Sequence, residues 1–124
     1  MMRLQESGEM YLETILILSE KLEHVRSLDV ADHMGFSKPS ISRAVGLLKN
    51  AGYLLMDQTG YLTLTDSGRA IAEKIYERHN TLAQFFIRIG VDEKTALEDA
   101  CKVEHYISDV TFDRIKSFAE KNRS

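Results

Sequence analysis

The chain of 124 residues carries a formal net charge of −3, with 44% hydrophobic and 28% charged residues. These values are typical of a globular protein with one or two small packed units. No apolar run is long enough to cross a membrane and no leader precedes a cleavage site, so we expect a cytoplasmic protein. The single cysteine, Cys101, excludes an internal disulfide.

Charge is unevenly distributed along the chain. Lys38 to Met56 contains three basic residues and no acidic residue, whereas Val91 to His105 contains five acidic and two basic residues. Such segregation is expected if one part meets phosphate and another meets cations. Random variation among solvated surface charges is the competing explanation.

The N-terminal half predicts three helices. The first covers about residues 7–21 and is rich in Leu and Ile on more than one face, as in a buried helix. A short second helix starts at a Ser27 cap and ends near Gly35. The third starts at a Ser37 cap, has Pro39 in its first turn and runs to about Asn50.

A β-hairpin and three further helices follow. Residues 53–56 and 61–64 predict two strands, joined by a turn that contains Gly60. A long helix then runs from about Thr65 to Gly90, with His79 on its apolar face, and shorter helices cover about 92–105 and 108–121. The predicted fold class is mostly α with a small β wing, namely a winged helix-turn-helix at 1–64 and a helical domain at 65–124.

The third helix is the predicted DNA-reading element. In a helix-turn-helix, the second helix of the pair enters the major groove with its N-terminal residues nearest the bases. The corresponding residues here are Ser37, Pro39, Ser40, Ser42 and Arg43. Arg43 can donate two hydrogen bonds to guanine, and serine hydroxyls suit phosphate oxygens. A pure capping role for Ser37 and a solvated surface position for Arg43 are the alternatives.

A second candidate site lies near the C-terminus. At 100° per residue, Cys101, Glu104 and His105 fall within about 100° of one another on a helix and continue a stripe that begins at Leu97. A carboxylate and an imidazole there need partners, because unpaired burial is costly. A soft divalent metal would satisfy all three groups. Taken singly, these residues have simpler interpretations: Met10 as a core filler, Cys101 as a small buried residue and His79 as a core histidine.

Three motifs together resemble one family. Residues 9–15 (EMYLETI), the pair Arg78–His79 and residues 99–109 (DACKVEHYISD) resemble the diphtheria-toxin-repressor family, the iron-dependent repressors, over nearly the whole chain. This resemblance implies a metal-dependent transcription regulator that works as a homodimer through its C-terminal helices. It implies a main regulatory metal site formed by Met10, Cys101, Glu104 and His105.

The ligand types predict which metal is sensed. In the manganese-responsive branch, Asp and Glu stand at the positions of Met10 and Cys101. Sulfur donors disfavour Mn²⁺ and favour Fe²⁺, Co²⁺, Ni²⁺ or Zn²⁺. We therefore expect Fe²⁺ as the physiological signal, with a manganese regulator of the same family as the alternative.

The chain also departs from the iron branch. Ala83 and Leu97 stand where that branch has ligands of an ancillary site. We expect a short form of the family, without the SH3-like C-terminal domain of the long branch. Glu13 and His79 match ligands of a second metal position in the manganese-type members. The expected partners are a double-stranded DNA operator and a second copy of the chain, without a membrane or a small organic substrate.

Two other classes compete with a metal-dependent repressor of metal-uptake genes. A metal-independent winged-helix protein would use Cys101 and His105 for packing alone. A metal-dependent hydrolase would use Glu104 as the base on a metal-bound water. The resemblance implies no enzyme, and methionine is a poor ligand for a catalytic site.

Overall fold

The structure is a computed structural model that describes residues 6–121, with the side chains of 7–121. The chain divides into two compact units, residues 1–73 and 74–124. Along the chain the elements are α1 (Glu6–Lys21), β1 (Val25–Arg26), α2 (Ser27–Met34), α3 (Lys38–Asn50), β2 (Leu54–Met56), β3 (Tyr61–Leu64), α4 (Asp66–Arg88), α5 (Glu93–Val103) and α6 (Asp109–Lys121). The predicted fold class, mostly α with a small β wing, is confirmed. None of the described helices is both long and apolar enough to cross a membrane.

The core of the first unit is built from α1, α2, α3 and the sheet. Helix α1 buries apolar side chains on more than one face, as its composition predicts, and α3 buries a stripe at helical spacing. Its buried members include Leu12, Ile15, Leu16, Val25, Val30, Ala31, Ile41, Val45, Leu48, Leu54 and Leu62. This core holds the exposed side of α3 at the surface of the unit.

The helix-turn-helix is bounded by local caps. Gly35 ends α2 in the left-handed region at φ 72°, and Ser37 caps α3 with its side chain accepting from the backbone N–H of Ser40. The predicted cap at Ser27 is wrong, because Arg26 is the N-cap of α2 and its backbone N–H donates to Asp29 Oδ2 at 2.8 Å. Because Asp29 accepts from the Arg26 N–H, the N-cap lies one residue before the predicted position at Ser27.

The wing is a three-stranded antiparallel sheet in the order β1-β3-β2. Strand β1 has two residues, too few for a periodic pattern, and was not predicted from the sequence. The β2–β3 turn is held by Asp57, whose Oδ1 accepts from the backbone N–H of both Thr59 and Tyr61 at 2.9 Å. Gly60, at φ 87°, supplies the left-handed residue of that turn.

The second unit packs α4, α5 and α6 around a small apolar core. Leu82, Ala83, Ala100 and Phe112 form its centre. Phe112 therefore belongs to the interior of the unit, whereas Val110 and Phe118 on α6 are exposed.

Helix α5 ends at Val103, two residues earlier than the sequence predicted, and residues 104–106 form a turn. The prediction that Cys101, Glu104 and His105 share one helical surface is therefore wrong in part. Cys101 is exposed on α5, while Glu104 and His105 are buried. Ala96 and Ala100 form the inward face of α5, and Cys101 follows Ala100 by 100° of helical rotation.

Candidate metal centre and DNA-binding surface

Three polar side chains of the second unit, His79, Glu104 and His105, form what we call the His–Glu–His cluster. Oε2 of Glu104 lies 2.9 Å from Nδ1 of His79, and Oε1 lies 3.3 Å from Nε2 of His105. The side chain of Glu104 is 0% exposed, that of His105 is 1% exposed and that of His79 is 23% exposed. Each carboxylate oxygen thus has an imidazole nitrogen as its neighbour.

Local structure explains how these residues meet. His79 lies in the middle of α4, on the face that carries Ile75 and Leu82 into the interior. Glu104 is the C-cap of α5, and its backbone N–H donates to the carbonyl of Ala100 at 3.0 Å. The following turn, closed by the Tyr106 N–H on the Val103 carbonyl at 3.0 Å, lets His105 turn inward beside Glu104.

The donor set fits a divalent transition metal. A buried carboxylate is costly unless hydrogen bonds or a cation compensate its charge. Imidazole nitrogen and carboxylate oxygen are both ligands for Mn²⁺, Fe²⁺ and Zn²⁺, and a hydrogen-bonded carboxylate commonly orients a ligating histidine. The cluster therefore offers both the ligand atoms and the charge that such a cation requires.

The other predicted ligands, Met10, Glu13 and Cys101, belong to α1 and α5. Met10 is half-buried and Glu13 is buried, both on α1 of the first unit. In the part of the chain that the structure describes, Cys101 joins no group of three His, Cys, Asp or Glu side chains close enough to share an ion. Its role as a ligand stays a prediction.

The two positions at which the sequence departs from the iron branch offer no ligand atoms. Ala83 is buried in the apolar core of the second unit, and Leu97 is 40% exposed on α5. Neither side chain carries a nitrogen, oxygen or sulfur atom, so neither is a metal ligand.

The predicted DNA-contacting residues share one property, exposure at the N-terminal half of α3: Ser37, Pro39, Ser40, Ser42 and Arg43. Ser37 is also engaged in the cap, because its hydroxyl donates to Ser40 Oγ at 2.9 Å and accepts from the Ser40 N–H at 3.3 Å. Arg43 lies in the next turn, where a side chain of its length can reach a base edge.

Sequence reasoning missed two features of these sites. Leu47 is 66% exposed on α3, one turn after Arg43, and an apolar side chain is one of the groups that suit a thymine methyl group. The i, i+4 spacing from Arg43 is the signal that points to it. Arg78 was noted only as part of a motif, yet it is buried beside the cluster.

Comparison with known proteins defines the class of protein. Residues 3–62 match the N-terminal DNA-binding domain of iron-dependent repressors. Residues 65–124 match the metal-binding and dimerisation domain of the same repressors. The chain therefore belongs to the iron-dependent repressor family, whose members are metal-dependent transcription regulators and not enzymes.

Individual relatives agree with this assignment. The chain is 34% identical over 120 residues to an uncharacterized HTH-type transcriptional regulator of Methanocaldococcus jannaschii, which covers 95% of this chain and 96% of the relative. It is 32% identical to the HTH-type transcriptional regulator MntR of Lysinibacillus sphaericus, over 92% of this chain and 82% of the relative.

A solved structure shows the same fold. The manganese regulator SloR superimposes with a TM-score of 0.81 at 29% identity, over 91% of this chain and 53% of that one. The chain thus spans about half the length of that structure.

Proposed function

We propose that this protein is a metal-activated repressor that binds a double-stranded DNA operator as a homodimer in the cytoplasm and controls genes for metal uptake. The observation that carries the proposal is the buried Glu104 carboxylate between the imidazoles of His79 and His105. It lies in the segment that matches a metal-binding domain. A separate segment, with exposed serines and Arg43 on α3, matches a DNA-binding domain.

Two groups of ligands are proposed. Met10, Cys101, Glu104 and His105 form the main regulatory site, and Glu13 with His79 forms a second metal position. The two oxygens of Glu104 face different imidazoles, which supports a carboxylate that serves two ligand sets. Met10 and Glu13 are three residues apart on α1, so both side chains lie on one face of that helix.

The metal supplies positive charge to a donor set that contains buried carboxylate. Ligands in both the DNA-binding and the C-terminal domain make the affinity for metal depend on the arrangement of the domains. A coupling of about 1–3 kcal/mol would change DNA affinity by about 5–150-fold. Because such coupling is reciprocal, operator DNA is expected to tighten metal binding by the same factor.

Fe²⁺ is the proposed signal, because the thioether of Met10 and the thiol of Cys101 disfavour Mn²⁺. Mn²⁺ is the second candidate. It is favoured by the nitrogen and oxygen donors of the His–Glu–His cluster and by relatives named as manganese regulators. Co²⁺, Ni²⁺ and Zn²⁺ are expected to bind in vitro, so affinity alone does not identify the signal.

Dimerisation is proposed through α6. Val110 is 73% and Phe118 is 56% exposed on this helix, which lies in the segment that matches a dimerisation domain. A two-fold dimer would place two copies of α3 on the half-sites of a palindromic operator.

The decisive experiment measures binding of the full chain to a labelled fragment of its own promoter region under anaerobic conditions. Fe²⁺, Mn²⁺ and Zn²⁺ are titrated separately, and a chelator is added at the end. We expect DNA affinity to rise with metal and to fall again with chelator. An affinity that is the same with metal and with chelator would show a metal-independent winged-helix protein instead.

Cys101→Ala in the same assay separates the two metal assignments. With Fe²⁺ as the signal, this variant loses the Fe²⁺ response and keeps weak, salt-sensitive DNA binding. If the variant responds normally to every metal, the thiol is not a ligand. A normal response to Mn²⁺ together with a weak response to Fe²⁺ in the unmodified chain would favour the manganese regulator.

A further inference from the structure

Arg78 precedes His79 on α4 and makes three different contacts with one short segment. Its Nη1 donates to the backbone carbonyl of Ile107 at 2.8 Å, and its Nη2 pairs with Oδ1 of Asp109. The guanidinium carbon lies 5.2 Å from the ring centroid of Phe112. The Arg78 side chain is only 7% exposed, although its partner Asp109 is 70% exposed.

The contacted segment directly follows the His–Glu–His cluster. Residues 104–108 connect the end of α5 at Val103 with the start of α6 at Asp109. His79 contacts this connection at its first residue, Glu104. Arg78 contacts it at Ile107 and also contacts Asp109, the first residue of α6. Two consecutive residues of α4 therefore hold both ends of the connection that carries Glu104 and His105.

The chemistry of arginine suits this position. Its planar guanidinium donates in two directions at once and stays charged, so it can hold a carbonyl and a carboxylate together. Asp109 is held from a second side by Lys74, whose Nζ lies 3.2 Å from the same Oδ1. A lysine at position 78 would keep the charge but could not reproduce both hydrogen bonds.

We infer that Arg78 is a positioning residue for the proposed metal centre: by holding Ile107 and Asp109, it fixes the turn that presents Glu104 and His105 to a cation. This inference rests on the proposed function. Groups that orient metal ligands in this way typically contribute about 10–100-fold to metal affinity. Arg78 itself donates no atom to the metal.

The test compares metal binding by the full-length chain and its variants. Direct titrations with Mn²⁺ and Co²⁺ give the affinities, and the visible absorption of Co²⁺ reports the coordination geometry. Arg78→Met is expected to bind about 10–100-fold more weakly and to give an altered Co²⁺ spectrum, with Arg78→Lys in between. Lys116→Met is the matched control, because it removes another α4–α6 contact, 2.8 Å from Lys116 Nζ to Glu77 Oε1, away from residues 104–108. It should bind like the unmodified chain.

Chemical unfolding of the metal-free proteins separates positioning from general destabilisation. A folded Arg78→Met variant with unchanged affinity and an unchanged Co²⁺ spectrum overturns the inference. If Arg78→Met does not fold, Asp109→Asn replaces it, since Asp109 is 70% exposed and its amide keeps the same shape. That variant must bind metal more weakly than the unmodified chain, and equal affinity overturns the inference.

The failure of the proposed function is a different result. In that case the unmodified chain itself binds neither Mn²⁺ nor Co²⁺. A chain that binds metal, loses it in Glu104→Gln and keeps it in Arg78→Met would leave the proposed function intact and reject only the role of Arg78.

Discussion

Gly68 lies directly against the backbone carbonyl of Tyr53: a Cβ atom on Gly68 would be 2.1 Å from that oxygen. The same carbonyl accepts a hydrogen bond from the Thr65 N–H at 3.1 Å, and Thr65 Oγ1 donates to the carbonyl of Gly52 at 2.7 Å. The start of α4 is thus held against the loop before the wing by backbone contacts that leave no room for a side chain.

Gly68→Ala is therefore expected to destabilise the protein. Overpacking of this kind costs about 1–3 kcal/mol, which exceeds the helix propensity gained from alanine. Urea unfolding followed by circular dichroism measures the difference. Gly46→Ala is the matched control, because a Cβ there meets no atom within 4 Å, and it is expected to stabilise the helix by about 1 kcal/mol. Equal stability of the two variants would contradict the close approach.

Glu104→Gln tests the His–Glu–His cluster. The amide keeps the shape of the side chain but removes the negative charge that a divalent cation needs. In the unmodified chain we expect metal to raise DNA affinity by about 5–150-fold. This increase should disappear in the variant. Fluorescence anisotropy with labelled DNA, with and without metal, measures it. A variant that keeps the full enhancement would remove Glu104 from the ligand set.

Arg43→Ala tests the DNA-reading surface. If Arg43 contacts a guanine, its loss costs about 1–3 kcal/mol of DNA affinity and relaxes specificity at one base pair. Lys38→Ala, at the exposed start of α3, should instead weaken binding to all sequences. It should also reduce the slope of log DNA affinity against log salt concentration by about 1. Competition with single-base operator variants at several salt concentrations distinguishes the two. A uniform loss in Arg43→Ala would assign this residue to phosphate.

Asp57 makes the stability of the wing depend on pH. Its pKa is lowered from the ordinary value of 3.8, first by the hydroxyl of Thr59 and then by the backbone N–H of Tyr61. A lowered pKa in the folded state means that the stabilisation is present above 3.8 and is lost as the pH falls through the folded-state pKa. The difference in unfolding free energy between the unmodified chain and Asp57→Asn should therefore be largest near neutral pH and shrink in acid. If this difference in unfolding free energy grew in acid, the lowered pKa of Asp57 would be contradicted.

Local signals in the sequence determined the DNA-binding half. Gly35 ends α2 and Ser37 caps α3 as predicted, because a left-handed glycine and a side-chain cap act within a few residues. The hairpin followed from two short apolar segments and the turn at Gly60 for the same reason. Strand β1, only two residues long, has no pattern of its own and exists through its pairing with β3.

Tertiary packing decided the arrangement at the candidate metal centre. The sequence named His79, Cys101, Glu104 and His105 as candidate ligands, and helical periodicity placed Cys101 on one surface with Glu104 and His105. In the structure Cys101 is exposed, whereas Glu104 and His105 are buried, because burial depends on which residues of α4 and α6 pack against α5. The 2.9 Å contact of His79 with Glu104 joins residues 25 positions apart, and a local pattern does not specify such a pairing because its energy comes from the packed interior.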